Sequence, residues 1–258
     1  MSDIFKQAVR QVFHAIRLDT PLVNLTEFDL GLLDALESPF RDTLLSLYAG
    51  EPQRGCDDRL HEIDRITRIP PRQGVWLYEF FLSRKPAATL EIGMAYGYST
   101  LFFLAAAAKR GQGRHTAIDP FQRSVWHGIG LVHAMNYAPN WLGQESFRFI
   151  EDRSDRTAAD FARTGQEFDL IFIDGNHRFD DVLVDFYLFS QVCRVGGHIV
   201  LDDARMSSVK TAANFIRSNR RDFSELPSRI GNIAIFQKTG EDQRNWNEFV
   251  KFRVARSS

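Results

Sequence analysis

The sequence predicts an α/β protein: a doubly wound, mostly parallel sheet with helices on both faces and an N-terminal helical extension. Three observations carry that expectation. From residue 71 to about 240, short β-rich runs alternate with helix-compatible stretches, the pattern of strands joined by helical crossovers. At the head of this region Thr89–Ile92 passes through Gly93 and Gly97 into Tyr98–Lys109, which is strand, glycine turn and helix in succession. Four of the expected strands then end in acids, Asp119, Glu151-Asp152, Asp174 and Asp202-Asp203.

Taken in order, residues 4–17 place Phe5, Val9, Val12, Phe13 and Ile16 at helical spacing, an amphipathic helix. Its apolar face suits packing within the chain or against a second copy, so a homodimer is one expectation. Further helical pieces are expected at 30–36 and at 40–48, the latter introduced by Ser38-Pro39. Gly50, Pro52 and Gly55 mark a loop. Residues 1–70 read as a helical cap without chemistry of its own. Pro70-Pro71 opens a helix over 72–83, and Lys85-Pro86 closes it. Strands are expected at 89–93, 115–119, 147–151, 169–174, 198–202 and 232–238. Helices are expected between them at 98–109, 122–135, 157–162, 179–192 and 209–219. The division is thus 1–70, a cap; 71–240, the body with the chemistry; and 241–258, where Trp246, Phe249 and Phe252 suggest a docked tail helix.

Composition narrows the partners. With 258 residues, 44% hydrophobic and 25% charged, the chain can bury one substantial core. A net charge of −1 and the lack of a basic stripe give no reason to expect a nucleic acid. The longest apolar run, Leu101–Ala108, is too short to span a bilayer, so no membrane partner is expected. Cys56 and Cys193 stand apart from any Cys-His cluster and read as reduced thiols. With no signal-type core at the N-terminus, the expected location is the cytoplasm.

The glycine turn and the acids are where chemistry is expected, because ligands of such sheets sit beyond the carboxyl ends of the strands. A dinucleotide fingerprint needs a second glycine at position 95, and Ala95 puts a methyl group there instead. Asp119, about twenty residues after the turn, suits the two hydroxyls of a ribose, since a carboxylate offers two acceptor oxygens; it also reads as a capping acid before Pro120. Asp174, Asp202 and Asp203 close two successive strands and should converge. Three such carboxylates suit Mg²⁺ or Mn²⁺, and without a cation they would need a compensating arginine or lysine. Zinc is not expected, for no Cys or His pair at ligand spacing joins them. His177, three residues beyond Asp174, has the pKa range of a general base, or is simply a helix-start residue.

The run Glu91-Ile-Gly93-Met-Ala-Tyr-Gly97-Tyr-Ser99 resembles the cofactor loop of class I S-adenosylmethionine-dependent methyltransferases, which are Rossmann-like. It is most similar to the metal-dependent O-methyltransferase branch of catechol type, whose loop also runs Glu-x-Gly, three residues, Gly-Tyr-Ser. Asp174-Gly-Asn-His177, followed by an Asp-Asp pair ending the next strand, is similar to the sugar O-methyltransferases of antibiotic pathways. The resemblance covers residues 71 to about 240 and departs from the family at Asp152, where a glycine is common. It implies S-adenosylmethionine held by Glu91, Gly93, Gly97, Ser99, Asp119, Ser154, Asp155 and Asp174. It implies a metal, Mg²⁺ or Mn²⁺, on Asp174, Asp202 and Asp203, and His177 with Asp174 as the catalytic pair. The acceptor would be a hydroxyl of a small molecule such as a sugar, a catechol or another diol. Trp126, His127, Tyr137, Trp141 and Met206 are candidate walls for it. Three other readings stay open: a metal-independent methyltransferase using His177 alone, an NAD-linked oxidoreductase, and a cofactor-binding protein without turnover.

Overall fold

The structure, a computed structural model, describes residues 29–142 and 146–255. The expected helix at 4–17 and the side chain of Trp141 lie outside the described set. A 3₁₀ turn, Leu30–Ala35, opens the described chain, its first turn capped by Asp29, whose carboxylate accepts from Gly31 N at 2.9 Å. Helix α1, Ser38–Ala49, begins with a proline in its first turn and ends at Gly50 in the left-handed conformation. A ribbon of two residue pairs follows, Gln53–Arg54 against Leu60–His61. Helix α2, Pro71–Arg84, starts on Pro71 and stops at Lys85 because Pro86 cannot continue it.

The body is one seven-stranded sheet. Its strands are β1 (Ala88–Ile92), β2 (Arg114–Ile118), β3 (Phe147–Ile150), β4 (Phe168–Ile173), β5 (Cys193–Leu201), β6 (Phe223–Leu226) and β7 (Ala234–Lys238). Their spatial order is β3-β2-β1-β4-β5-β7-β6, parallel except for β7, which runs antiparallel to both β5 and β6. The connecting helices are α3 (Tyr98–Arg110), α4 (Ile129–Leu142), α5 (Ser154–Thr164), α6 (Phe179–Ser190) and α7 (Ser207–Asn219).

Strand β4 shows why the sheet is covered on both sides. Leu170 and Phe172 enter one core with Phe40, Phe81, Phe102 and Phe103 from α1, α2 and α3. Their alternates Ile171 and Ile173 enter another with Phe161, Phe186 and Ile216 from α5, α6 and α7. A period of two with both sets apolar is what a strand buried on both faces requires. Residues 33–69 share the first core through Leu33, Leu44, Leu47, Ile63 and Ile69, so the extension packs on the body without a separate core.

Several expectations change. The helix expected at 122–135 begins only at Ile129, because His127 and Gly128 both take positive φ and end the turn before it. Strand β6 was not foreseen; its four residues, Phe-Ser-Glu-Leu, carry only one buried side chain and no clear alternation. The tail at 241–255 is not a helix. Its backbone bonds to side chains of α7 instead. Asn219 donates to Val250 O at 3.0 Å and accepts from Val250 N at 2.8 Å, and Asn214 donates to Arg253 O at 2.8 Å. Trp246 is 97% exposed there. Both cysteines are free, and among the described residues no helix is long and apolar enough to cross a membrane.

Candidate functional site

The register of the parallel strands brings the acids to one edge. Ile92 pairs with Ile118 and Ile173, Ile118 with Ile150, and Ile173 with Leu201. The ladder runs one residue further, through Gly93 N to Ile118 O, Asp119 N to Ile150 O, Asp174 N to Ile92 O and Asp202 N to Ile173 O. Asp119, Asp174 and Asp202 therefore leave the sheet side by side.

At the glycine turn the two glycines are required by the close approach of the protein's own backbone. A Cβ on Gly93, whose φ is +90°, would lie 2.1 Å from Asp174 O. One on Gly97, with φ +86°, would lie 2.9 Å from Gly130 Cα. Ala95 takes φ +46° between them. The turn is held from below: Asp119 Oδ2 accepts from Met94 N at 3.2 Å and Ala95 N at 2.9 Å, and its Oδ1 from Phe121 N at 2.8 Å. Burial raises the Asp119 pKa, against those three amides. Gln122, fully buried, donates to Ala95 O at 2.9 Å. Neither Gln122 nor Gly130 was foreseen, since nothing in their spacing marks them.

Glu91 and Ser99 meet each other. Ser99 Oγ donates to Glu91 Oε2 at 2.7 Å, Thr100 Oγ1 donates to Oε1, and His115 Nε2 lies 3.1 Å from the same oxygen. Glu91 is 0% exposed, so in this structure both side chains brace the start of α3 from inside the fold. Ser154 opens α5 and donates to Asp185, a carboxyl that burial pushes up to about 6. Asp155 is paired with Arg153 at 2.9 Å.

The acid cluster differs from the expected one in one member. Asp174, His177 and Asp203 each offer a ligand atom, all within 4.8 Å of one another. His177 Nε2 stands 3.2 Å from Asp174 Oδ1 and 3.4 Å from Asp203 Oδ2, is buried, and makes no well-formed hydrogen bond to either. Asp202 is turned away: its Oδ2 accepts from Gln73 Nε2 at 2.7 Å and its Oδ1 from Asp203 N at 2.7 Å. Its carboxyl is committed to the corner's own structure, and burial, with the charges of Asp174 and Asp203, raises its pKa well above the usual range. Histidine thus takes the place expected of Asp202.

The charges are strongly interdependent. Burial raises the Asp174 pKa to about 6 although His177 opposes it. For His177, burial works downward, but the close Asp174 carboxylate, with Asp203 and Asp202 behind it, carries the pKa up to about 9. Two carboxylates with an imidazole nitrogen beside them fit a divalent cation such as Mg²⁺ or Mn²⁺. Of the candidate walls, Trp126 packs edge-on against Tyr96 at 5.2 Å, His127 stacks on His61 at 3.9 Å, and Tyr137 lies 5.1 Å from Phe40. Met206 is exposed beside the corner.

Residues 90–204 match the family model described as Methyltransferase domain. This segment holds the glycine turn and all three members of the Asp174 cluster. No curated protein matches the chain in sequence. Among solved structures, the chain is similar to the SAH-bound methyltransferase PaMTH1 of Podospora anserina, at 16% identity and TM-score 0.57, over 91% of this chain and 96% of that one. It is similar to the cofactor-bound Rv0187 from MTB at 18% identity and TM-score 0.58, over 86% and 100%. A third, the O-methyltransferase from Bacillus cereus in complex with SAH, aligns at 18% identity and TM-score 0.53, over 78% and 91%. The match to the methyltransferase-domain model over residues 90–204 and the fold shared with these solved structures are what the chain is similar to.

Proposed function

We propose that the chain is an S-adenosylmethionine-dependent methyltransferase acting on a hydroxyl of a small molecule, with His177 as the general base and Asp174 and Asp203 as the acids that orient it. The observation that carries the reading is the placing of His177 Nε2 between two carboxylates at the rim where the strands end. In the reaction the methyl–sulfur bond breaks as a bond from the acceptor oxygen to the methyl carbon forms, and the hydroxyl proton passes to His177 Nε2. S-adenosylhomocysteine and a methyl ether leave, and the proton is returned to water. The chain's contribution is to hold oxygen, methyl and sulfur in line at near-attack distance and to keep a proton acceptor beside the oxygen.

Asp174 and Asp203 would hold a divalent cation, Mg²⁺ or Mn²⁺, through their carboxylate oxygens, leaving the His177 Nε2 lone pair free to take the proton. Such an ion supplies positive charge that lowers the pKa of the acceptor hydroxyl. A vicinal diol, as in a sugar or a catechol, would offer it two oxygens. A second reading dispenses with the metal: the imidazolium offsets one of the two carboxylate charges there, and His177 acts as base once it has lost its proton above about pH 9. On the cofactor side, the turn from Gly93 to Gly97 and Asp119 beneath it are proposed to face the donor, with Ser154 and Asp155 toward its adenine.

The test is to incubate the full chain with S-adenosylmethionine, Mn²⁺ and a panel of vicinal diols, and to follow single methyl additions by mass spectrometry. A methylated product that disappears in His177→Gln supports the reading. Binding of S-adenosylhomocysteine with no product from any hydroxylated compound would overturn it in favour of a non-catalytic binder. Undiminished turnover in EDTA would select the metal-free version.

A further inference from the structure

We propose that Asn232 is a positioning residue for Asp203: its side-chain amide sets the direction in which that carboxylate faces His177. The inference rests on the proposed role of the Asp174, His177 and Asp203 cluster.

The corner after β5 is unusual. Asp203 takes φ +49°, a conformation that asparagine and aspartate adopt more readily than other side-chain residues. Main-chain bonds hold its backbone there: Met206 N donates to Asp203 O at 2.8 Å, and Ala204 N donates to Asn232 O at 2.7 Å. The Asp202 carboxylate adds the bond to Asp203 N at 2.7 Å. None of these contacts touches the Asp203 carboxylate. That side chain is 38% exposed, so left alone it would rotate toward water. What holds it is Asn232 Nδ2, which donates to Asp203 Oδ1 at 2.8 Å. A carboxylate is planar, so fixing one oxygen fixes where the other points, and Oδ2 points to His177 Nε2 at 3.4 Å.

The chemistry of the brace suits the task. An amide N–H directs the carboxylate without cancelling its charge, as a lysine or arginine would, and leaves both the charge and one oxygen for a cation or for His177. Asn232 sits in the turn before β7, beyond the segment 90–204 that matches the methyltransferase domain. The antiparallel pairing of β7 with β5, Leu201 opposite Ala234, delivers it to the corner. Its carbonyl also takes the Ala204 N–H, and that bond survives any side-chain substitution, so a variant isolates the amide.

The experiment titrates Mn²⁺ by electron paramagnetic resonance into the full-length wild type, Asn232→Ala, the near-isosteric Asn232→Leu, and Asp203→Asn. Affinity for S-adenosylhomocysteine and melting temperature are followed in parallel. Expected are Mn²⁺ binding by the wild type, its loss in Asp203→Asn, and a weakening of about 10-fold or more in both Asn232 variants, the usual effect of removing a partner behind a ligand. Affinity for S-adenosylhomocysteine should stay within about twofold, as no cofactor-side residue loses a contact. Wild-type Mn²⁺ affinity in both Asn232 variants, with Asp203→Asn impaired, overturns the role of Asn232 and leaves the cluster's role standing. Equal losses of Mn²⁺ and S-adenosylhomocysteine affinity with a large drop in melting temperature overturn it in favour of a general folding role. A wild type that binds no Mn²⁺ removes both this proposal and the metal-dependent reading beneath it.

Discussion

Gln73 Nε2 donates to Asp202 Oδ2 at 2.7 Å across 129 residues of chain. The bond ties the first turn of α2 to the end of β5. Gln73 is 2% exposed and its Oε1 has no hydrogen-bond partner, so the pair is buried and only partly satisfied. Gln73→Leu should cost about 1–3 kcal/mol, since Asp202 Oδ2 is left without its donor. The double variant Gln73→Leu/Asp202→Leu should recover part of that loss, because a matched apolar pair leaves no orphan. Urea unfolding of the three variants measures the coupling, and additive losses would show that the two side chains do not interact.

The pH dependence of turnover should follow His177. Its pKa is held near 9 by Asp174 and its neighbouring acids, so below that value the imidazole is protonated and cannot accept a proton. Without added cation, the rate should climb until the pH passes about 9. Asp203→Asn removes one of the charges responsible and should move the rising limb to lower pH. Added Mn²⁺ should move it the same way, by adding positive charge beside the ring. A limb that stays in place in Asp203→Asn would argue that another group is the base.

Stability linked to that same histidine runs in a defined direction. Its folded pKa lies above the unfolded value of 6.5, so its contribution is present below 6.5 and is lost as pH rises through about 9. His198 runs the other way. Burial lowers its pKa to about 4, and its Nε2 has no partner beside the ring of Phe80. Its neutral form is therefore favoured by folding, a contribution present above 6.5 and lost as pH falls toward 4. Relative to wild type, His198→Leu should gain up to about 1.4 kcal/mol for each pH unit below 6.5. Denaturant titrations at pH 7.5 and pH 5 check it; an equal difference at both would remove burial of a neutral imidazole as the cause.

The glycine turn supplies a further test through Gly130. A Cβ there would stand 2.7 Å from Ala95 O and 2.9 Å from Gly97 N, both backbone atoms that cannot step aside singly. Gly130→Ala should displace the turn and weaken S-adenosylhomocysteine binding by about 10-fold or more, an effect of about 1.4 kcal/mol or above. Ala95→Gly should do the reverse for the fold, relieving a left-handed residue worth about 1 kcal/mol. Calorimetric binding and thermal melts of the two variants separate these effects.

Much of this molecule was legible residue by residue. The apolar alternation in Leu170, Ile171, Phe172 and Ile173 announces a strand buried on both faces, and Gly93 and Gly97 announce the turn after the first strand. The acids at strand ends were legible for the same reason: strand endings are local, and a parallel sheet collects them on one edge. Where reading failed, the cause was distance along the chain or competition for hydrogen bonds. The tail at 241–255 has helical spacing, yet Asn214 and Asn219 of α7 take its backbone bonds. Asp202 looked like an equal partner of Asp203, and only Gln73 on α2 shows that it faces inward.

The amino-acid order alone determined the sheet, the glycine turn after its first strand and the rim on which Asp119, Asp174, Asp202 and Asp203 would gather, because those features depend on periods of two and 3.6 and on turns a few residues long. Which of these side chains meet was decided only by the folded chain. Rotation of a carboxylate about its Cα–Cβ bond is free in the sequence and is settled by partners such as Gln73, His177 and Asn232, which arrive from elements far apart in the chain.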